Sequence, residues 1–599
     1  MKPVQDKMGD PAIHPENPWG DLRVFFAAFA ALFLVGMLFR AAAPVDDAFI
    51  TLRYADNLIH HGELFYNPGD RVEGYTSIGQ LLLLAPLTLL PKRAAEAGAA
   101  LLGVLAWAGV VALAWRHLKR EGVKIAGAAE WFLLVYLTLC PPALFWSWSG
   151  MEPALFSLCW LAAWVAHRGE YENNRWPWRS GLLAFAAGLM HPEGVLVGLV
   201  LGLSWFIPYR REKARRGMIF LYLAWGLFGL YWLWRARYFH SFFPNTAYAK
   251  VSGSPWPLLQ SGLAYIGRSA LGAVLPFVGL FLVIRQRRAL AQNPRWFFLA
   301  IGLITALLLY VVRVGGDYFA FQRFLLPAYP FLMLVTWRLW RLAQTDLESK
   351  NKGATAMNWL ARSPWMSPLV GSVAALALCG WALFVPGLPI AQHRAFAKPM
   401  KDFKAVGRVF ANTMPARARV ATVPIGAFGF YSDVRLIDCL GLTDRHIARE
   451  APIRGYHHAG HDKFDYEYVL GLQPEIIMQL PALFSKNVEG LRDWLQRTTV
   501  DPAQYDLYLH PELDENYELR WFPIAKNRGP LAKRDLDRDV PLGVYAFVRK
   551  DRLAEQDYRR WQSLPGELER LPFEEYGRMI EANKDLFGKF KLGMWSFGR

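Results

Sequence analysis

Two adjacent carboxylates are the first residues in the chain whose placement suggests chemistry. Asp46 and Asp47 directly follow an apolar run at residues 24–45 and precede a helix-like segment at residues 48–58. One acid is enough to cap that helix. Two like charges beside a membrane-length apolar run repel each other, which can raise a carboxyl pKa into the range of a general base. We therefore predict that at least one of them is catalytic, with helix capping as the alternative role.

Further acids occur beside glycines and turns. Glu152 lies two residues after a glycine, His191 and Glu193 flank a proline in a tight turn, and Asp317 follows two glycines. Glycines allow a ligand to approach the backbone closely. The structural alternatives are a helix N-terminal acid for Glu152, a turn histidine with a capping glutamate, and a loop acid paired with Arg323.

Three cations lie in short polar segments between the apolar runs. Arg53, Lys250 and Arg323 are in short polar segments where positive charge is otherwise sparse. Such residues could hold a phosphate by charge-assisted hydrogen bonds. The alternative for each is contact with lipid headgroups, because long basic side chains reach to the membrane surface from nearby helices.

The composition is that of a membrane protein. The 599 residues are 54% hydrophobic, yet 67 Lys and Arg stand against 50 Asp and Glu. The basic residues form short clusters between apolar runs, so membrane topology explains the net charge of +17 better than nucleic acid does. The sequence has no phosphate-binding P-loop, paired CxxC or HExxH motif, and its four cysteines give no readable disulfide framework.

Runs long enough to cross a bilayer, roughly 20 residues each, recur through the first two thirds of the chain. They centre on residues 24–45, 95–115, 129–148, 153–167, 218–235, 268–284, 296–312, 324–340 and 366–387. The stretch 180–208 has basic residues on both flanks, which requires an even number of crossings and predicts two short helices. We interpret 78–91 as a re-entrant or juxtamembrane helix, because a full span there would place the basic loop 116–124 outside.

The resulting prediction is a polytopic α-helical protein with about eleven spans. Residues 1–23 are a cytoplasmic segment that leads into an uncleaved anchor. Residues 24–387 form a transmembrane catalytic domain with an outer loop at 46–93, and residues 388–599 form an extracytoplasmic α/β domain. Strand-like pieces in that tail are 419–423, 435–440, 475–479, 517–522 and 543–548. This topology places all the acids described above on the outer face.

Several of these segments resemble one family. The run Asp46 to Ala55, the segments 66–69 and 72–77, and the later motifs at 150–152, 191–194, 244–250, 315–317 and 323–327 resemble those of GT-C glycosyltransferases. They are most similar to the mycobacterial terminal arabinofuranosyltransferase group, and the tail segments 438–444 and 460–463 also look like family elements. One difference is His191, where we expect arginine, so the case for a fixed positive charge at this position is weak.

The resemblance implies transfer of a sugar from a polyprenyl-phosphate donor to an acceptor hydroxyl on a glycan or glycoprotein at the outer face of a bacterial inner membrane. Asp46 or Asp47 would be the base, and Lys250, Arg53 or Arg323 would hold the phosphate. Glu152 and Asp317 would orient sugar hydroxyls or bind a divalent cation. The substrate-binding residues expected on this basis are Arg53, Tyr54, Glu73, Tyr75, Glu152, His191, Glu193, Asn245, Lys250, Asp317, Arg323 and His461.

Two other functions are compatible with the sequence. A transporter or flippase of lipid-linked sugars would also need polar residues and broken helices, although its acids would be expected near the midplane of the membrane. A non-catalytic glycan-binding membrane protein would use the tail as its binding module. Consumption of a lipid-linked donor by the purified protein separates the enzyme from both.

Overall fold

A computed structural model describes most of the chain. The described residues are 18–38, 44–122, 128–207, 210–250, 255–272, 279, 282, 294–317, 319, 321–350, 366–384, 399–453, 462–498, 507–508, 510–526, 541–571, 574 and 578. Within them a bundle of long helices supports a mixed α/β domain formed by the C-terminal part.

The described part of the bundle consists of α-helices. They are α1 (Pro18–Leu38), α2 (Asp46–His61), α3 (Ile78–Leu84), α4 (Lys92–Arg120), α5 (Ala128–Leu139), α6 (Pro141–Trp148), α7 (Pro153–Glu172), α8 (Trp178–Met190), α9 (Val195–Ser204), α10 (Arg211–Leu221), α11 (Leu227–Phe239), α12 (Asn245–Lys250), α13 (Pro255–Gly272), α14 (Arg295–Val314), α15 (Ala328–Lys350) and α16 (Met366–Phe384). A π-helical turn, Tyr222–Gly226, joins α10 to α11.

Five stretches of the described residues are long and apolar enough to cross a membrane. They are Asp21–Leu38, Lys92–Arg120, Ala128–Trp148, Arg211–Phe239 and Arg295–Val314. Large apolar side chains such as Leu38, Leu230 and Leu309 are exposed on them, as expected of surfaces that face lipid. The multi-pass character is thus supported, while the count of about eleven spans stays a prediction. The predicted run 268–284 lies mostly outside the described residues.

The stretches 78–91 and 180–208 both form short helices. The segment 180–208 is broken by a 3₁₀ turn at Pro192–Gly194, between α8 and α9. The segment 78–91 consists of 7 residues of α3 and 5 residues of 3₁₀ helix. These reach about 20 Å together, which is shorter than a hydrocarbon core of about 30 Å. The length of the segment 78–91 therefore fits a juxtamembrane or re-entrant helix.

The C-terminal domain is built on one sheet of seven strands. The strands are β1 (Arg419–Thr422), β2 (Arg435–Asp438), β3 (Ile476–Met478), β4 (Phe484–Ser485), β5 (Tyr517–Lys526), β6 (Pro541–Arg549) and β7 (Gln562–Ser563). Their order is β2-β1-β3-β6-β5-β7, with β4 paired to β6; β1 is parallel to β2 and β3, and the other pairs are antiparallel. The helices around the sheet are α17 (Met400–Thr413), α18 (Gly426–Tyr431), α19 (Arg445–Arg449), α20 (Tyr466–Gly471), α21 (Val488–Thr498) and α22 (Pro511–Asn516).

Helix α2 belongs to both parts of the molecule. Its residue Ala48 packs in the apolar core of the helix bundle. Phe49 and Leu52, both fully buried, instead join a second core that contains Phe428 and the sheet of the C-terminal domain. The predicted outer loop and the predicted tail domain therefore share one hydrophobic core, and α2 connects that core to the bundle.

The loop after α2 covers the edge of the sheet. Asn67 donates through Nδ2 to the carbonyl of Leu436 at 2.8 Å and accepts from the Leu436 N–H at 3.0 Å. This is the pair of bonds that a neighbouring strand would make, so one asparagine satisfies part of the open edge of β2. Asp70 adds an ion pair with Arg435 at 2.7 Å.

We call the side of the bundle that carries this domain the domain side, and cysteine labelling can establish its orientation. In a background without native cysteines, we expect Glu63→Cys, exposed just after α2, to react with an impermeant maleimide in intact cells. Arg175→Cys is the matched control. It is exposed just after the C-terminal end of α7, about 30 Å along that helix from its N-terminal end. It should react only after permeabilisation, and the reverse pattern would refute the predicted topology.

Candidate active site

Five residues from four separate segments meet at the domain side of the bundle. Asp47 begins α2, Glu152 precedes α7, Lys250 ends α12, and Asp317 and Arg323 lie in the loop between α14 and α15. Electrostatic contact links Lys250 to each of the other four. These residues had been predicted to share one face, and the structure brings them together.

The start of α2 is held against the loop before α7. The Val45 N–H donates to the carbonyl of Ser149 at 3.0 Å. Gly150 has a φ of +71°, and a Cβ there would lie 3.1 Å from Pro44 and 3.3 Å from Ala48. A glycine is needed because the backbone is left-handed and α2 approaches closely. This contact brings the loop that carries Glu152 to the start of α2, where Asp47 lies.

A pair of adjacent glycines positions Asp317. Gly315 ends α14 with a φ of +86°, and Gly316 follows with a φ of +74°. A Cβ on Gly316 would lie 2.5 Å from the ring of Tyr265. The chain therefore turns tightly over α13, and Asp317 points back towards Arg323.

Arg323 is the cation with the most contacts in the cluster. Its Nε donates to Asp317 Oδ2 at 2.5 Å, and its Nη1 lies 3.8 Å from Asp47 Oδ2. The guanidinium also lies 4.8 Å from the ring centre of Phe319 and 5.3 Å from that of Phe324. A buried cation held by one carboxylate and flanked by aromatic rings keeps a fixed orientation. It can present its remaining N–H groups towards Asp47.

Lys250 supplies a second positive charge. Burial lowers the pKa of its ammonium, while the carboxylates of Asp47, Asp317 and Glu152 act in the opposite direction. Within the described part of the chain, its Nζ forms no hydrogen bond or ion pair. No carboxylate of the described residues is bonded to this ammonium, so it is available to an anionic ligand.

The two adjacent acids point to different partners. The Oδ2 and Oδ1 atoms of Asp46 accept the backbone N–H groups of Gly426, at 2.8 Å, and Ala427, at 2.7 Å. Asp47 instead faces Arg323 and keeps its side chain 21% exposed. Burial raises the pKa of Asp46 to about 7, which alone would suggest a base, but geometry takes priority over pKa in this choice. Asp46 attaches the C-terminal domain, and Asp47 is the acid that faces the cluster.

His191 and Glu193 border the cluster as a pair. The imidazole Nδ1 is hydrogen-bonded to Glu193 Oε2. Burial lowers the pKa of His191 to about 3, and the charges of Arg323 and Lys250 add to this effect. His191 is therefore neutral near pH 7, so the position expected to hold an arginine carries no positive charge.

Other predicted binding residues lie outside the cluster. Arg53 donates to the carbonyls of Tyr66, Gly429 and Val434 at 3.0, 2.7 and 3.0 Å. Its guanidinium thus holds the C-terminal domain, which corrects the prediction that it could bind the phosphate. Tyr54 is also structural, since its hydroxyl donates to the Val72 carbonyl at 2.6 Å.

Three more of these residues fix nearby loops. Glu73 forms a buried ion pair with Arg235, and Tyr75 packs its ring edge-on against Tyr54 at 5.0 Å. Asn245 begins α12 and bonds to the C-terminal domain. The role of His461 stays a prediction because it lies outside the described residues.

Sequence reasoning missed several residues that support the site. Arg235 is a charged residue at the end of a long apolar run, a signal that could have identified it. Gly426 could not be recognised from the sequence. A glycine is required there because a Cβ would overlap the carbonyl oxygen of Asp46, a residue far away in the chain.

A metal centre is not evident in the part of the chain that the structure describes. It contains no group of three or more His, Cys, Asp or Glu residues that could hold an ion. Asp317 is engaged by Arg323, which also faces Asp47. The divalent cation therefore stays a prediction, and we assign no step to it.

Known proteins share both sequence and fold with this chain. It is 27% identical over 329 residues to a terminal β-(1→2)-arabinofuranosyltransferase of Mycobacterium tuberculosis, a match covering 48% of this chain and 51% of that protein. The enzyme of the same name from Corynebacterium glutamicum is 28% identical over 338 residues, with 49% and 47% covered. The chain spans about half the length of the curated relatives it matches. The predicted similarity to terminal arabinofuranosyltransferases is confirmed.

The fold comparison extends over more of the chain. The crystal structure of ArnT from Cupriavidus metallidurans superposes with a TM-score of 0.50 at 13% identity, covering 88% of this chain and 98% of ArnT. A second ArnT structure, bound to undecaprenyl phosphate, gives 0.50 at 11% identity, with 89% and 98% covered. The chain therefore has the fold of ArnT, a GT-C protein. In addition, a family model described as a domain of unknown function, DUF8728, matches residues 391–528.

The pKa of Asp46 makes a prediction about stability. It is about 7 in the folded protein and 3.8 in a free carboxyl, because burial penalises ionisation. A carboxyl with a raised folded-state pKa stabilises the fold less as pH rises through this window, since the folded state binds more protons than the unfolded state.

Melting temperatures of the detergent-solubilised protein test this point. Between pH 5 and pH 8 we expect the wild type to lose about 2 to 4 °C relative to Asp46→Asn, which cannot ionise. Asp493→Asn, on the exposed face of α21, is the control and should follow the wild type. A difference between wild type and Asp46→Asn that does not change with pH would contradict the raised pKa.

Proposed function

We propose that this protein is a membrane glycosyltransferase that uses a polyprenyl-phosphate sugar as its donor. The acceptor in this proposal is a hydroxyl of a cell-envelope glycan or glycoprotein at the outer face of a bacterial inner membrane, and arabinofuranose is the candidate sugar. The curated relatives are named as arabinofuranosyltransferases, and ArnT, which has the same fold, binds undecaprenyl phosphate. These similarities support both the type of reaction and the class of donor.

The arrangement of Asp47, Arg323 and Lys250 carries the proposal. A carboxylate lies beside two cations at the end of a helix bundle, with Arg323 Nη1 at 3.8 Å from Asp47 Oδ2. Transfer of a sugar from a phosphate needs one group to accept a proton and others to hold the negative charge of the leaving group. This cluster provides both within a short distance.

The reaction follows from these roles. The acceptor oxygen forms a bond to the anomeric carbon as its proton passes to the Asp47 carboxylate. The bond from the anomeric carbon to the phosphate oxygen breaks, and its electron pair leaves with the polyprenyl phosphate. Arg323 and Lys250 hold that phosphate by charge-assisted hydrogen bonds. Asp317 fixes the orientation of Arg323, and no separate acid is required because phosphate is a good leaving group.

The remaining acids are assigned to the sugar. Glu152 is buried and lies in electrostatic contact with Arg323 and Lys250, and Glu193 is buried beside His191. Carboxylates in such positions accept hydrogen bonds from sugar hydroxyls. We assign Glu152 and Glu193, with His191, to orienting the sugar between the phosphate and the acceptor.

Substitution of the two adjacent acids tests the mechanism. We expect Asp47→Asn to lower transfer from a labelled polyprenyl-phosphate sugar by about 10²- to 10⁴-fold, because it removes the base. Asp46→Asn should lower it less, since it weakens an attachment and leaves the base in place. Asp493→Asn, remote from the cluster, is the control for expression and assay. Wild-type rates in Asp47→Asn would exclude its assignment as the base.

The same assay separates the alternatives. If purified wild type in vesicles moves a labelled lipid-linked sugar between leaflets without consuming it, the protein is a flippase. If it binds glycan and consumes no donor, the tail is a binding module. Consumption of donor with formation of a glycosidic product is the result that we expect.

A further inference from the structure

The helix that carries Lys250 is too short to hold its own shape. Helix α12 has six residues, Asn245–Lys250. Isolated helices shorter than about 12 residues are marginal in water, because the first turn costs more conformational entropy than one hydrogen bond returns. The position of Lys250 therefore depends on what α12 contacts.

The first turn of α12 is bound by the C-terminal domain. Asn245 Nδ2 donates to the carbonyls of Gly441 at 2.8 Å, Leu442 at 3.2 Å and Asp444 at 2.9 Å. The Asn245 N–H in turn donates to the Glu73 carbonyl at 3.0 Å. Three carbonyls of one loop thus share the two protons of a single buried amide.

The second half of α12 is bound by the same domain. Lys463 Nζ donates to the carbonyl of Tyr248 at 3.0 Å and to that of Ala448 at 2.7 Å. The guanidinium of Arg449 lies 4.5 Å from the ring centre of Tyr248. Lys463 therefore bridges the backbone of α12, two residues before Lys250, to the end of α19.

The helix that carries Asp47, together with the loop that follows it, has a matching attachment. Besides the bonds from Gly426 and Ala427 to Asp46, the hydroxyl of Tyr66 donates to the Ile425 carbonyl at 2.7 Å. The base and one phosphate-holding cation thus lie on two segments far apart in sequence, and one domain holds both. All of these attachment points fall within residues 425–463, inside the region matched by the domain of unknown function.

We infer that the C-terminal domain is a positioning domain, which holds Asp47 and Lys250 in register across the site. Lys463 and Asn245 are positioning residues for Lys250, and Asp46 is the positioning residue for Asp47. This inference rests on the proposed function, because it assigns the domain a part in that reaction. It differs from a glycan-binding module, whose loss would affect acceptor affinity alone.

A double-mutant cycle tests the link between Lys463 and Lys250 in the full-length protein. With a labelled polyprenyl-phosphate sugar, we expect Lys250→Met to lower kcat/KM by about 100-fold and Lys463→Met by about tenfold. The double variant should lie within about twofold of Lys250→Met, because Lys463 acts through Lys250. Effects that multiply would overturn the inference.

Two controls accompany the cycle. Lys486→Met removes a partly exposed lysine of the same domain, whose Nζ donates to Gln562 Oε1, and should leave kcat/KM unchanged. Lys463→Arg keeps a charged donor and should recover part of the lost activity at a wild-type melting temperature. Failure of this rescue in a stable variant would also count against positioning.

Hydrogen–deuterium exchange distinguishes failure of the inference from failure of the proposed function. In the full chain we expect Lys463→Met to speed exchange in the amides of residues 245–250 and to leave α14 unchanged. If wild type transfers no sugar, the proposed function fails, and this readout still decides whether the domain holds α12. Unchanged exchange at 245–250 would refute the inference.

Discussion

The attachment of Asp46 to the first N–H groups of α18 is the contact on which the site depends. Both carboxyl oxygens of this one side chain accept from the C-terminal domain, at 2.8 and 2.7 Å. Because α2 is a rigid helix, the bond that fixes its first residue also fixes the direction of the second. Asp47 is turned towards Arg323 as a result. Replacing Gly426 by any larger residue would push on the Asp46 carbonyl, so the attachment tolerates no side chain there.

Burial, as well as pairing with cations, limits the negative charge of the cluster. Burial raises the pKa of Glu152 and of Asp317, although Arg323 acts against this in both. These acids therefore carry a full negative charge less readily than they would in water. Arg323 and Lys250 are the basic residues of the cluster, and the neutral His191 adds no further positive charge. In the proposed reaction these two residues face the anionic donor, although formal acids are in excess.

The sequence predicted the secondary-structure elements and the grouping of the site residues on one face better than it predicted the bonding partner of each side chain. The strand-like pieces 419–423, 435–440 and 475–479 agree with β1, β2 and β3, because short alternating apolar runs are a local signal. Lys and Arg counts placed Glu152, Lys250 and Asp317 on one face, since charge asymmetry reports topology. The two-residue strands β4 and β7 were not predicted because they are too short to show a period.

The distinction between Asp46 and Asp47 could not be predicted, and neither could the structural role of Arg53. Each depends on partners more than 370 residues away in the chain, Gly426 and Gly429. No local pattern encodes such a contact. The sequence shows that charged side chains stand at a membrane boundary, where burying them costs free energy. The structure shows which groups bond to them.

The core shared by α2 and the tail also has a consequence for biogenesis. The ribosome makes Phe49 and Leu52 more than 350 residues before Phe428, with which they form one core. At synthesis rates of about 5–20 residues per second, this apolar face waits on the order of tens of seconds for its partner. Membrane insertion of the helices between them must be complete before the two halves can meet. Assembly of the site is therefore a late step, which follows both the insertion of these helices and the synthesis of Phe428.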